Sequence, residues 1–247
     1  MLMFNNKHFL QYLINYCAKY HFKRIIILTR YKNEIIFRKF NKKKINLIDI
    51  ICIKEKKEMG TGGALYNLKK LNVKDFILLN GDSIFNIDLN QLVHITKKKS
   101  IGSMVLTKNI NQKSAKLRNL TIKKNFIKLT HKSKFMNGGV YYFKRKFFKY
   151  IKNNSKSLEE NILPNLIKKN VVNGKFLNNF FIDIGSKKFL KKGSILLKKE
   201  FIKSSIFLDR DGVINQDYGH VYKYKDFKFR PGVLRGLKYL SKKNYYI

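Results

Sequence analysis

Tryptophan is absent, and proline and cysteine occur only twice each, among the 247 residues of this chain. Cys17 and Cys52 have no metal-ligand spacing, and two cysteines make no disulfide framework; they fit a reducing compartment. Long apolar runs are missing too. Residues 45–53 come nearest, but Asn46 and Asp49 interrupt them, far short of a bilayer span. Asn5, Asn6, Lys7 and His8 stand where a secretory signal would need its apolar stretch. These absences predict a cytoplasmic protein with no membrane partner. Acidic residues are scarce as well, with 15 Asp and Glu against 54 Lys and Arg, a net charge of +39.

A basic excess of that size raises a nucleic-acid reading, a non-enzymatic protein that binds RNA. Its discriminator is a steep fall of RNA affinity with salt. The lysines, however, are spread along the whole chain, which is equally heavy in Ile, Asn, Phe and Tyr. That is the product of AT-rich codons. The aromatics beside lysines fall mostly on apolar periodicities, as in residues 143–150. Nucleic acid is therefore not the expected partner, although the field attracts nucleotides and phosphosugars at low salt.

The apolar periodicity predicts helices over residues 9–18, 34–40, 62–71, 89–98, 158–169 and 187–199. Buried strands are predicted at 24–29, 46–53, 75–79, 103–107 and 180–184, with antiparallel strands across 119–143. Ser157, with Glu160 three residues on, reads as a capping box. Strand–helix alternation of this kind predicts an α/β sheet, whose ligands gather at the carboxyl ends of its strands.

The informative motifs sit at those ends. Gly60-Thr61-Gly62-Gly63 precedes a helix, where glycines admit close backbone approach and free N–H groups meet bases or phosphates. By itself it also reads as a helix-entry loop. Asn80-Gly81-Asp82 follows a buried strand, as a turn or as a carboxylate at a strand tip. Asn137-Gly138-Gly139 precedes an apolar strand and reads plainly as a hairpin turn. Ser157-Leu158-Glu159 precedes a helix it would cap. Asp183 lies in an apolar strand, where an unpaired charge is expensive, so it calls for a partner or a metal.

In order and spacing these motifs resemble the sugar-phosphate nucleotidyltransferases, in the branch that makes nucleoside-diphosphate mannose or heptose. The resemblance covers about residues 8–203. It implies transfer of a nucleotidyl group from a nucleoside triphosphate to a sugar 1-phosphate. Gly60, Thr61, Gly62 and Gly63 would contact the nucleotide base. Asp82 and Asp183 would hold Mg²⁺. Asn137, Gly138, Glu159 and Lys132 would lie on the sugar side. The implied geometry has Asp82 and Asp183 converging at the sheet edge. The family opens with a strand, a Gly-x-Gly-Thr-Arg loop and a Pro-Lys-Pro segment that cradle the triphosphate. This chain starts near the helix after them, so the expectation is weak or no turnover. The family's Glu-Lys pair appears here as His131-Lys132.

The most specific string is Phe207-Leu208-Asp209-Arg210-Asp211-Gly212-Val213-Ile214-Asn215. Ser205 to Leu208 reads as a strand ending in two carboxylates one residue apart, which point the same way on extended backbone and suit Mg²⁺. A helix is predicted from Pro231 to Lys242. The string, with Phe227 and Arg230-Pro231-Gly232-Val233, resembles haloacid-dehalogenase-type phosphatases, in the branch that removes the 7-phosphate of heptose 1,7-bisphosphate. It implies Asp209 as nucleophile, Asp211 as acid/base, and both on the metal. The resemblance covers residues 204–247, and the family's later motifs would lie beyond Ile247.

The predicted fold is thus α/β: a Rossmann-like nucleotidyltransferase sheet, truncated at its N-terminus, over residues 1–203. The first strand and helix of a haloacid-dehalogenase-type α/β domain follow over 204–247. The phosphatase as the better name for the parent protein is the alternative enzyme reading. Base, sugar and oligomeric state stay open.

Overall fold

The computed structural model describes residues 2–30, 32–55, 60–108, 119–152, 157–185, 187–243 and 245–247. They divide into two compact units, Met1–Gly193 and Ser194–Ile247.

In the first unit a short ribbon, β1 (Met3–Phe4) and β2 (Lys7–His8), leads into α1 (Phe9–Cys17). Then come β3 (Arg24–Thr29), α2 (Asn33–Phe40), β4 (Lys44–Ile45), β5 (Ile48–Lys54) and α3 (Gly60–Leu68). The chain continues through β6 (Phe76–Leu79), β7 (Ser83–Phe85), α4 (Asn90–Ile95), β8 (Gly102–Lys108), β9 (Leu120–Lys123), β10 (Phe126–Leu129) and β11 (Phe135–Phe143). It closes with α5 (Leu163–Lys168), β12 (Val172–Phe176), β13 (Phe181–Asp183) and the start of α6 (Lys187–Phe201).

A mixed six-stranded sheet runs in the order β6-β11-β8-β12-β10-β9, and a three-stranded sheet in the order β3-β5-β4. β13 pairs antiparallel with β7. The crossover pairs expected of an α/β fold are β3 with β5 and β8 with β12, both parallel.

Composition explains the centre of the larger sheet. β8 reads Gly-Ser-Met-Val-Leu-Thr-Lys, and its Met104, Val105 and Leu106 are fully buried. Met104 and Leu106 join one core cluster and Val105 another. Both faces are covered, so the strand needs a continuous apolar run rather than an alternating one. β11 behaves likewise, and its Phe143 stacks on Phe147 at 3.9 Å between ring centroids. α2 carries Glu34 in its first turn and Arg38 and Lys39 in its last, the order that complements a helix dipole.

The second unit holds α7 (Val233–Lys242), entered through Gly232 at a φ of 82°. The expected strand from Ser205 to Leu208 is reduced to one parallel bridge, Ser205 to Tyr246. Phe207 is exposed there, and among the described residues no further bridge extends the pairing along 205–208.

Three other expectations change. Asn137-Gly138-Gly139 is not a hairpin turn but lies inside β11, where the register with β8 shifts between Asn137 and Tyr141. The helix expected over 158–169 starts as a π-helical turn, Leu158–Ile162, before α5, which carries Pro in its first turn. Only half of the capping box forms. Glu160 N–H donates to Ser157 Oγ at 3.1 Å, but the Ser157 N–H goes to Asn161 Oδ1 at 3.0 Å instead of to the glutamate. The wider π turn brings residue 161 under the cap.

Candidate active site at the strand ends

Arg30 follows β3, Glu55 follows β5, and Asn80-Gly81-Asp82 follow β6. Together with Gly60, Thr61, Asn137, Glu159 and Asp183 they line a cavity of about 650 Å³. It opens where an α/β sheet presents its carboxyl ends.

Asp82 and Asp183 meet there, although 100 intervening residues separate them. The β7–β13 ladder is responsible. It sets Asp183 opposite Ser83, and the Ile184 N–H continues the pairing onto the Asp82 carbonyl at 2.9 Å. A Cβ placed on Gly185 would lie 3.0 Å from Asp183 Oδ1 and 3.7 Å from Asp82 Oδ2. Two atoms within 4 Å of one point cannot be separated by the roughly 10 Å at which they would fail to share metal-bound phosphate oxygens. Burial pushes the Asp183 carboxyl above the usual carboxylate range, and the nearby Asp82 charge pushes the same way. The Gly185 N–H, donating to Asp183 Oδ1 at 2.8 Å, opposes them. Like charges brought together in a half-buried place are the condition a divalent cation relieves. No cluster of three or more His, Cys, Asp or Glu occurs among the described residues, so a metal here would draw further oxygens from its substrate or from water.

The opposite wall is tied down by hydrogen bonds. Thr61 Oγ1 donates to Glu159 Oε2 at 3.1 Å and accepts the Leu158 N–H at 2.8 Å. Glu159 is 4 % exposed. Asn137 Oδ1 accepts the Gly139 N–H at 3.0 Å, and its Nδ2 donates to Tyr141. Tyr141 is fully buried, and its hydroxyl is held well above the usual tyrosine range by that burial, reinforced by the Glu159 charge. Gly139 has a φ of 71°, and a Cβ there would stand 2.8 Å from Ser83 Oγ. Only glycine lets β11 bulge and press its backbone against the strand end that carries Asp82.

Six of the residues singled out from sequence line this cavity: Gly60, Thr61, Asp82, Asn137, Glu159 and Asp183. Gly62, Gly63 and Gly138 are buried behind the wall rather than on it. Gly60–Leu68 is already helical, so its first turn turns Gly62 and Gly63 inward. Lys132 is exposed on the bend between β10 and β11 and does not line the cavity; the hydrogen-bonded β9–β10 ribbon carries that bend with it. Sequence reasoning missed Arg30 and Glu55. Arg30 is the first charged residue after β3, whereas Glu55 directly follows Lys54, the charged last residue of β5, so only Arg30 stood out by position. Burial raises the Glu55 carboxyl, and the Arg30 charge opposes that shift.

In the second unit the two carboxylates of the Asp-Arg-Asp-Gly string stand apart in their bonding. Arg210 grips Asp211 through two hydrogen bonds, Nε to Oδ1 at 3.0 Å and Nη2 to Oδ2 at 2.7 Å, and also donates to the Val221 carbonyl. The buried Asn215 adds a bond to Asp211 Oδ1 at 2.9 Å. The Arg210 and then the Asn215 hydrogen bonds hold the Asp211 carboxyl below the usual range. Asp209 is exposed and accepts the Arg210 N–H at 2.8 Å. Gly212, at a φ of 77°, turns the chain after the pair.

Residues 1–200 match the family described as Nucleotidyl transferase. The D-glycero-alpha-D-manno-heptose 1-phosphate guanylyltransferase of Campylobacter jejuni is 28% identical over 186 residues, 75% of this chain and 84% of that protein. The crystal structure of HddC from Yersinia pseudotuberculosis is similar at a TM-score of 0.65 and 25% identity, covering 79% of this chain and 88% of that one. A separate likeness falls on the C-terminal end. The D-glycero-beta-D-manno-heptose-1,7-bisphosphate 7-phosphatase of Haemophilus ducreyi is 49% identical over 43 residues, which are 17% of this chain and 24% of that protein. The chain belongs to the nucleotidyl transferase family, a family of enzymes, and its first unit has that family's α/β fold.

Proposed function

We propose that residues 1–203 transfer a nucleotidyl group, guanylyl by analogy with the Campylobacter relative, to a heptose or mannose 1-phosphate. The observation that carries this reading is the convergence of Asp82 and Asp183 in a strand-end cavity whose far wall is Thr61 and Glu159. A sugar 1-phosphate oxygen attacks the α-phosphorus of the triphosphate, the bond to the β-phosphate oxygen breaks, and pyrophosphate leaves with that electron pair. Such a reaction requires alignment and charge neutralisation rather than covalent catalysis. The donor set fits Mg²⁺, with two converging carboxylates left to share it with substrate oxygens. When bound, that ion supplies charge neutralisation at the phosphates. Gly60 and Thr61 meet the base at the helix start, with Gly62 and Gly63 allowing the close approach from behind. Asn137 and Glu159 accept and orient sugar hydroxyls, Gly138 shapes their strand, and Asp82 and Asp183 fix the position of the reacting phosphate. Lys132, exposed on the bend before β11, is not among the residues that line the cavity.

Residues 204–247 constitute, in this reading, the opening of a phosphatase of the same sugar's pathway, with Asp209 as nucleophile and Asp211 as acid/base. The likeness to the Haemophilus phosphatase supports it. The two chemistries belong together because a 7-phosphate must be removed before the 1-phosphate is activated. Magnesium-dependent binding of GTP by calorimetry tests the first activity. Asp82→Ala and Asp183→Ala must each weaken it, and binding that ignores both substitutions refutes the site.

A further inference from the structure

Four cations that the transfer reaction does not use surround a second cavity. Lys69, Arg145, Lys146 and Lys149 line a space of about 460 Å³, a size that takes a small ligand. No described carboxylate lines it, and it shares no lining residue with the strand-end cavity. Three elements run from one cavity to the other. α3 begins with Gly60 and Thr61 at the first and passes into the 3₁₀ turn Lys69–Leu71 at the second. β6 starts just after Asn72 and Val73 at the second and leads to Asn80 and Asp82 at the first. β11 runs antiparallel to β6, so Asn137 lies at the first and Arg145, two residues past its end, at the second.

Local geometry brings the cations together and leaves them uncompensated. Asp75 fixes the start of the turn that carries three of them. Its Oδ1 accepts the Arg145 backbone N–H at 2.9 Å and its Oδ2 accepts the Tyr142 hydroxyl at 2.7 Å. Among the described residues no carboxylate forms an ion pair with any of the four. The ammonium groups take backbone oxygens instead. Lys146 Nζ donates to the Lys99 carbonyl at 3.0 Å, and the neighbouring Lys144 Nζ to the carbonyls of Lys97 and Lys98 at 2.9 and 3.1 Å. Burial, and then the Lys146 charge, push the Lys144 ammonium below the usual lysine range. Crowded cations without a counter-charge are the condition a bound anion relieves.

An apolar floor separates this cavity from the generally basic surface. Phe148 is buried and stacks on Phe76 at 5.4 Å between ring centroids, and Val73 beside it is half-buried. Lys69, Arg145, Lys149 and Asn72 are exposed around that floor. Asn72 ends the 3₁₀ turn at a φ of 50°, a conformation asparagine tolerates.

We propose that this cavity binds an organic diphosphate of the nucleoside diphosphate class, its ring over Val73 and Phe148 and its phosphates among the four cations. The chemistry selects the ligand. A single phosphate leaves most of the cations unneutralised, and an inorganic diphosphate leaves the apolar floor wet. Guanidinium and ammonium groups together suit phosphate oxygens, the first as a planar fork and the second as point charges.

Calorimetric titration of the full chain with ADP tests this. EDTA is present, so that magnesium-dependent binding at Asp82 and Asp183 is silent, and the salt is about 0.15 M KCl, which screens diffuse attraction. The expected result is one ADP per chain, weakened at least about tenfold by Arg145→Ala combined with Lys149→Ala. Both side chains are exposed, and Arg145 holds Asp75 through its backbone, so the melting temperature should stay unchanged. Lys69→Ala, on the opposite wall, should weaken binding alone. Lys191→Ala with Lys192→Ala removes the same charge from α6 and should change nothing. Pyrophosphate should bind more weakly than ADP for want of a ring. No binding, binding that ignores the Arg145, Lys149 and Lys69 substitutions, equal loss in the α6 variant, or pyrophosphate as tight as ADP overturns the proposal.

Discussion

Thr61 and Glu159, separated by 98 positions in the chain, share a hydrogen bond of 3.1 Å that locks the first turn of α3 to the π-helical turn before α5. The Thr61 hydroxyl uses both its capacities, donating to the carboxylate and accepting the Leu158 N–H. These two bonds join the first turn of α3 to the π-helical turn on the cavity wall.

Thr61→Val keeps the volume and removes both bonds. It leaves the Leu158 N–H and a buried carboxylate without that partner, a loss of about 1–3 kcal/mol. Denaturant unfolding should show a lower midpoint with an unchanged slope. Thr61→Ser should restore most of it.

Asp183→Asn should stabilise the fold while weakening function. The folded-state carboxyl is raised above its ordinary value by burial and by Asp82. The native state then holds the proton more tightly than the unfolded chain, so stability declines as pH rises from the unfolded pKa through the folded one. The neutral amide escapes that penalty and can still accept the Gly185 N–H. Its melting temperature should exceed the parent's at pH 7 and match it in acid. Added Mg²⁺ should raise the parent's melting temperature more than the variant's. A variant less stable than the parent at pH 7 would contradict the assignment of the shift.

These two carboxylates show what could be read from the chain. Asp82 announced itself by following an apolar strand and Asp183 by lying within one, and the antiparallel β7–β13 ladder brings them together. Asn137-Gly138-Gly139 misled because the same residues that make hairpins also make bulges, and only the contact with Ser83 and Asn80 decides between them. Arg30 and Glu55 carried no motif at all, and their importance comes from the sheet that gathers strands 3 and 5 around one cavity. Lys132 was placed by its neighbours in sequence, whereas its position depends on where the β9–β10 ribbon carries the bend.

Gly139→Ala tests the bulge. A side chain at a φ of 71°, with a Cβ 2.8 Å from Ser83 Oγ, should destabilise the fold by about 1–3 kcal/mol. It should also weaken Mg²⁺–GTP binding by displacing the strand end that carries Asp82. Gly236→Ala, where a Cβ meets nothing within 4 Å and which does not line the cavity, is the control and should do neither.

Arg210→Ala should release Asp211. Without the guanidinium its carboxyl should titrate at higher pH, since the Arg210 hydrogen bond is the largest cause of its depression. A carboxyl-detected NMR titration follows this directly. Asn215→Ala should give a smaller shift in the same direction, and an unmoved Asp211 in both variants would remove the pairing as the cause.

The central claim is that Asp82 and Asp183 carry nucleotidyl transfer to a sugar 1-phosphate. Its most direct test is a single-turnover reaction with excess enzyme, α-labelled GTP, D-glycero-alpha-D-manno-heptose 1-phosphate and Mg²⁺, followed by separation of labelled products. The expected result is slow formation of the labelled sugar nucleotide with one pyrophosphate per transfer, reduced on the order of 10²-fold or more by Asp82→Asn and by Asp183→Asn. No sugar nucleotide from any nucleoside triphosphate, or the same yield from both variants, would contradict it.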